Sequence, residues 1–107
     1  MSSSSGAEGG CPGQHREDSI TRVLEIVNTR GLHARASAKF VQTVEKYDAE
    51  VRVTRGSETV GGTSIMGLMM LAAGPGTSIR IEASGPQAAE VMAALEQLVR
   101  SRFGEDD

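Results

Sequence analysis

At 107 residues and 11.2 kDa the chain has room for one domain; 38% of it is hydrophobic, with no Trp, one Tyr and two Phe, so its core has to be aliphatic. Eleven Lys and Arg against 14 Asp and Glu give a net charge of −3, which argues against a non-specific nucleic-acid binder and against docking on an anionic membrane surface. The single cysteine, Cys11, excludes an internal disulfide framework and a Cys-rich zinc site, and no apolar run nears the ~20 residues that span a bilayer. Met1 to Gly10 have neither the basic start nor the apolar stretch of a secretory signal, so a cytoplasmic domain is expected.

Residues 1–18 are rich in Ser and Gly and hold almost nothing to bury, so they read as a disordered tail that carries Cys11 and His15. The folded domain is expected over residues 19–103, and residues 104–107 form an acidic end. Ile20, Leu24 and Ile26 share one parity and predict a first strand, which Asn28-Thr-Arg-Gly31 breaks. Ala34, Ala36 and Ala38 favour helix, with Ser37, Phe40, Val41 and Val44 on one face; Tyr47-Asp48 ends it. Val51 and Val53 alternate with Arg52 and Thr54, and Gly56-Ser57 forms the two-residue loop of a hairpin that returns over residues 58–61. Thr63-Ser64 opens a short helix, because a hydroxyl accepts from the unpaired amides of a first turn, and Gly74-Pro-Gly76 stops it. Ile79 and Ile81 point inward from a fourth strand over residues 78–83. Gly85-Pro86 opens a last helix whose buried stripe is Val91, Leu95, Leu98 and Val99. The order β-α-β-β-α-β-α predicts an α+β domain, a mostly antiparallel sheet with helices on one face.

Two stretches carry chemistry. In Gly31-Leu-His-Ala-Arg35 a glycine frees the backbone just before a helix, His33 takes the N-cap place and Arg35 lies in the first turn. First-turn amides and the helix dipole favour an anion by about 0.3–1 kcal/mol, a guanidinium adds charge-assisted bonds, and an imidazole near its pKa at neutral pH offers an unprotonated nitrogen. Together they describe a histidine able to take a phosphoryl group and hold it briefly. No other His, Cys or carboxylate has metal-ligand spacing with His33, so no metal or other cofactor is expected, and no Gly-x-Ser-x-Gly elbow accompanies it. In the second stretch, Gly62-Thr-Ser-Ile-Met-Gly-Leu-Met-Met-Leu71, every residue from Ile65 to Leu71 except Gly67 is large and apolar, so the helix is apolar on every side. A helix so short at a sheet edge cannot be enclosed all round, so Leu68 and Leu71 are the expected anchors. Ile65, Met66, Met69 and Met70 then form an exposed, adaptable contact patch. Full burial of the whole stretch is the plain alternative. On the residues alone a metabolite-sensing binding module and a small enzyme also stay open; the first predicts no phosphoryl acceptance at His33, and the second needs another catalytic group beside it and a substrate-sized pocket.

The chain is identified as a member of the HPr family, the histidine-containing phosphocarriers of the bacterial phosphoenolpyruvate-dependent phosphotransferase system. Gly31-Leu-His-Ala-Arg-Ala-Ser-Ala38 resembles the family's active-site motif, and Ser64-Ile-Met-Gly-Leu-Met-Met-Leu71 resembles its regulatory-serine motif. The resemblance covers about residues 20–103 and implies an open-faced β-sandwich, a four-stranded antiparallel sheet with three helices on one face. It implies that His33 is phosphorylated by Enzyme I through Nδ1, that Arg35 assists, and that an enzyme IIA-type protein accepts the group. It further implies that Ser64 is the target of an HPr kinase/phosphorylase. Ile65, Met66, Met69 and Met70, with Ala38 on the first helix, would meet the protein partners, and a monomeric carrier rather than a turnover catalyst is expected. Ala36 departs from the pattern, since many members place Pro there. Ala34, Ala83-Ser-Gly-Pro-Gln87 and the acidic end resemble the nitrogen-related branch, whereas Gly62-Thr-Ser-Ile-Met-Gly67 is closer to sugar-branch members controlled by serine phosphorylation; a regulatory role with a kinase input is the reading favoured here.

Overall fold

A computed structural model describes residues 19–104; the tail with Cys11 and His15, and the acidic residues 105–107, lie outside the described residues. Four strands are present, β1 (Ile20–Glu25), β2 (Glu50–Arg55), β3 (Glu58–Gly61) and β4 (Ser78–Ser84), with helices α1 (Ala34–Glu45), α2 (Ile65–Met70) and α3 (Ala88–Arg100). The sheet order is β1-β4-β2-β3 and every pairing is antiparallel. The last strand in sequence therefore lies between the first and the second, pairing Ile20 with Ala83 on one side and Val51 with Ala83 on the other.

Alternation sorts the sheet into two faces. Leu24, Val51, Val53, Ile79, Ile81 and Ala83 are buried beneath the helices, while Thr21, Val23, Arg52, Arg80 and Glu82 occupy the exposed face. Ile26 stands just beyond β1 but continues its pairing, its amide bonding the Thr77 carbonyl at 2.8 Å and its own carbonyl taking the Gly76 amide at 2.9 Å. α1 buries Ala36, Ser37, Phe40, Val41 and Val44; α3 buries Ala88, Val91, Met92, Leu95 and Val99, with Leu98 half-buried. The β2–β3 loop is the expected pair Gly56-Ser57, Gly56 having φ +63° as the first loop residue of a II′ turn requires.

Two details differ from the sequence reading. The last helix starts at Ala88, not at Gly85-Pro86. Gly85 has φ +110°, its carbonyl takes the Ala88 amide at 3.2 Å, and Pro86 sits inside that turn. Gln87, the N-cap, is drawn to the end of α1 instead: its amide donates to the Asp48 carbonyl at 3.0 Å, and its side-chain oxygen accepts from the Asp48 amide at 2.7 Å. After α3 a short 3-10 turn, Arg102–Gly104, drives Phe103 into full burial, and Lys39 of α1 donates to its carbonyl. Both phenylalanines thus anchor the helical layer, each worth about 1.5–3 kcal/mol in burial.

Candidate functional site

The approach to α1 is a four-residue turn. The Asn28 carbonyl accepts the Gly31 amide at 3.2 Å, and the Asn28 side chain, fully buried, donates from Nδ2 to the Gly31 carbonyl at 2.9 Å. Asn at the first position and Gly at the fourth suit such a turn. Gly31 has φ +64°, and a Cβ there would meet the Ala73 carbonyl oxygen and sit 2.8 Å from Gly74 Cα. That close approach lets the Leu32 amide reach the Ala73 carbonyl at 3.0 Å. The segment leaving α2 is therefore the seat of the loop that leads to His33.

His33 is the N-cap of α1, with extended backbone (φ −76°, ψ −176°) and a half-buried side chain. Its carbonyl accepts the Ser37 amide at 2.8 Å, which starts the helical ladder. The imidazole makes no capping bond to the first turn, and no acidic residue stands in that turn. An anion carried by the ring would sit at the positive end of the twelve-residue α1, whose first turn holds no acidic residue. Arg35 follows within the first turn and is exposed. Ala36, in place of proline, is fully buried.

Ser64 is the N-cap of α2, its Oγ accepting from the Gly67 amide at 3.0 Å, and the side chain is exposed. The apolar stretch divides as expected from its length: Leu68 and Leu71 are buried, while Ile65, Met66, Met69 and Met70 are 40%, 70%, 39% and 77% exposed. Ala38 is half-buried on α1, which packs against α2. Because Ala73 leaves the C-terminal end of α2 and bonds Leu32, that end of α2 adjoins the His33 loop, and Ser64 lies at the far end, about 9 Å along the axis.

Three contributors were missed by the sequence reading. Asn28 passed as a plain strand breaker; its turn signature was visible, its burial was not. Ala73 offered no signal, because it contributes only a backbone carbonyl. Arg55, on β2, donates from Nη1 to the Leu71 carbonyl at 3.1 Å and so completes the C-terminal end of α2, where a cation is favoured.

Comparison with known proteins agrees with this geometry. The family described as PTS HPr component phosphorylation site matches residues 20–101. The phosphocarrier protein HPr of Neisseria meningitidis is 52% identical over 88 residues, covering 82% of this chain and 99% of the relative. Among solved structures, HPr-C-His from Thermoanaerobacter tengcongensis superposes with a TM-score of 0.78 at 38% identity, over 82% of this chain and 99% of that one. An HPr dimer from the same organism gives 0.65 at 40% identity, over 77% and 94%.

Proposed function

The chain belongs to the HPr family of phosphotransferase-system phosphocarriers, and from that premise we propose that His33 is the residue that carries the phosphoryl group. The observation that supports this most directly is the half-buried His33 at the N-cap of α1, a helix whose first turn holds no acidic residue. The Nδ1 lone pair of His33 attacks the phosphorus of a phosphohistidine on Enzyme I. The donor's N–P bond breaks as the new one forms, and the donor imidazole leaves with the electron pair. Arg35 neutralises part of the charge on the transferring oxygens. The reverse exchange, onto a histidine of an enzyme IIA-type protein, returns His33 to its starting state. The protein is consumed and regenerated as a substrate of its partners rather than turning over substrate itself. A relay needs moderate stabilisation of the intermediate, and one helix terminus with one guanidinium supplies about that.

The exposed patch Ile65, Met66, Met69 and Met70, with Ala38 beside it, is the proposed docking surface for both partners. Ser64 stands at its edge with an exposed hydroxyl, and an HPr kinase/phosphorylase is the proposed source of a phosphate there. Such a phosphate adds about −1.5 to −2 charge. The α2 dipole tolerates it, whereas juxtaposition with an acidic or apolar partner surface costs several kcal/mol, so docking suffers and the fold survives. This input favours a regulatory output in nitrogen or carbon control over sugar uptake alone. A monomer suits a carrier that shows one face to successive partners, and light scattering at micromolar concentration tests it. The deciding experiment is incubation with phosphoenolpyruvate and purified Enzyme I, read by intact mass. One phosphate, lost in acid and absent from His33→Ala, is the expected result; a phosphate retained by His33→Ala refutes the assignment.

A further inference from the structure

Among the described residues only three polar side chains are buried, Asn28, Ser37 and Ser84. Two of them face the same two-residue segment. Asn28 Nδ2 donates to the Gly31 carbonyl at 2.9 Å, and Ser37 Oγ donates to the Leu32 carbonyl at 3.2 Å. Both side chains are fully buried, so both carbonyl oxygens point into the protein. The remaining backbone groups of the segment are also engaged, the Gly31 amide by Asn28 and the Leu32 amide by Ala73. Every backbone donor and acceptor of the two residues before His33 is therefore satisfied internally.

We infer that Asn28 and Ser37 are positioning residues for phosphoryl transfer, holding the Gly31 and Leu32 carbonyls inward so that the His33 ring keeps its place at the helix start. This rests on the reading of His33 as the phosphoryl acceptor. A peptide whose carbonyl turned outward would present a partial negative charge beside an incoming phosphoryl group, where only donors are useful. It would also let the N-cap residue rotate, and a misplacement of about 1 Å in a reacting group can cost about 100-fold in rate. Two local features make the latch economical. The Asn28 bond closes a turn the chain already makes, and the Ser37 hydroxyl reaches back five residues from inside α1, to the carbonyl just ahead of the first in the helical ladder.

The test is single-turnover transfer from phospho-Enzyme I to the full chain, with Asn28→Ala, Ser37→Ala and Ser37→Thr compared with the parent. Both alanine variants are expected to lower the maximal transfer rate constant about tenfold or more. The half-saturating concentration should stay within about threefold, since the α2 patch is untouched. Ser37→Thr, which keeps the hydroxyl, should recover most of the rate. A residue that only stabilised the fold would lower the melting temperature and leave the maximal rate of the folded protein unchanged. Circular dichroism at the assay temperature fixes which variants are folded. If Asn28→Ala does not fold, Ser37→Ala decides, because Ala is the best helix former. A folded Ser37→Ala with a maximal rate within twofold of the parent overturns the inference. His33→Ala separates the two levels: if it still gains phosphate the carrier assignment fails, and if it is inert while the Ser37 and Asn28 variants transfer normally, only the positioning role fails.

Discussion

Gly31→Ala probes the support of the His33 loop, and Gly56→Ala is its internal control. The two glycines have nearly the same φ, +64° and +63°, but Gly56 has no atom within 4 Å of a built Cβ, whereas at Gly31 that Cβ would meet Ala73 and Gly74 backbone. Placing an L side chain in the left-handed region costs about 1–2 kcal/mol, and Gly56→Ala should lose that much and no more. At position 31 the clashing atoms are main chain and cannot rotate away. Relief requires parting the loop from residue 73, which breaks the bond from the Leu32 amide to the Ala73 carbonyl between two buried residues. That adds about 1–3 kcal/mol, for a total of about 2–5 kcal/mol. A domain of this size has about 4–13 kcal/mol in all, so Gly31→Ala should lower the melting temperature by about 8–40 °C, against about 4–16 °C for Gly56→Ala. Urea unfolding followed by circular dichroism measures both. Equal losses within about 0.5 kcal/mol would refute the claim that the α2 exit supports the His33 loop.

Ser64→Asp keeps an N-cap acceptor, so its melting temperature should stay within a few degrees of the parent while the half-saturating concentration for phospho-Enzyme I rises about tenfold or more; unchanged acceptance would refute the regulatory reading. Leu68→Ala should cost about 2–5 kcal/mol and Met70→Ala less than about 0.5 kcal/mol in urea titrations, since one is buried and the other 77% exposed; similar losses would dissolve the division of α2 into anchor and patch. Ala72 has φ +54° just after α2 without being glycine, so Ala72→Gly should stabilise by about 0.5–1 kcal/mol, and a destabilised variant would count against that backbone geometry.

Much of the fold was legible because its signals are local. The parity of Ile20, Leu24 and Ile26, the stripe of Ser37, Phe40, Val41 and Val44, and the Gly56-Ser57 loop each report a face or a turn that a few neighbours decide. The two N-caps were legible for the same reason: His33 and Ser64 stand where hydrophobic periodicity starts. The start of α3 was misjudged because Pro86 suits a first helical turn and also suits a β-turn. The choice was made by Asp48, which bonds Gln87 from a distant part of the chain. Phe103 was the last residue assigned to the domain, but its burial under a 3-10 turn had no periodic signature.

What the sequence could not show about the site is how it is held. The residues proposed to carry the chemistry announce themselves by type, because few side chains can accept and release a phosphoryl group. The residues that hold them do not, because a carbonyl serves as well from Ala73 as from any other residue. α2 consequently has a double part that neither motif reveals alone. Its exposed side offers Met66 and Met70 to solvent, its buried side sets Leu68 in the core, and its exit anchors the turn before His33. Arg55 joins this arrangement by bonding the Leu71 carbonyl two residues before Ala73. A change at the C-terminal end of α2 therefore reaches the His33 loop through one hydrogen bond, whereas a change at Ser64 has the length of the helix to cross. On that geometry a charge introduced at Ser64 should disturb the proposed docking surface on α2 before it disturbs His33.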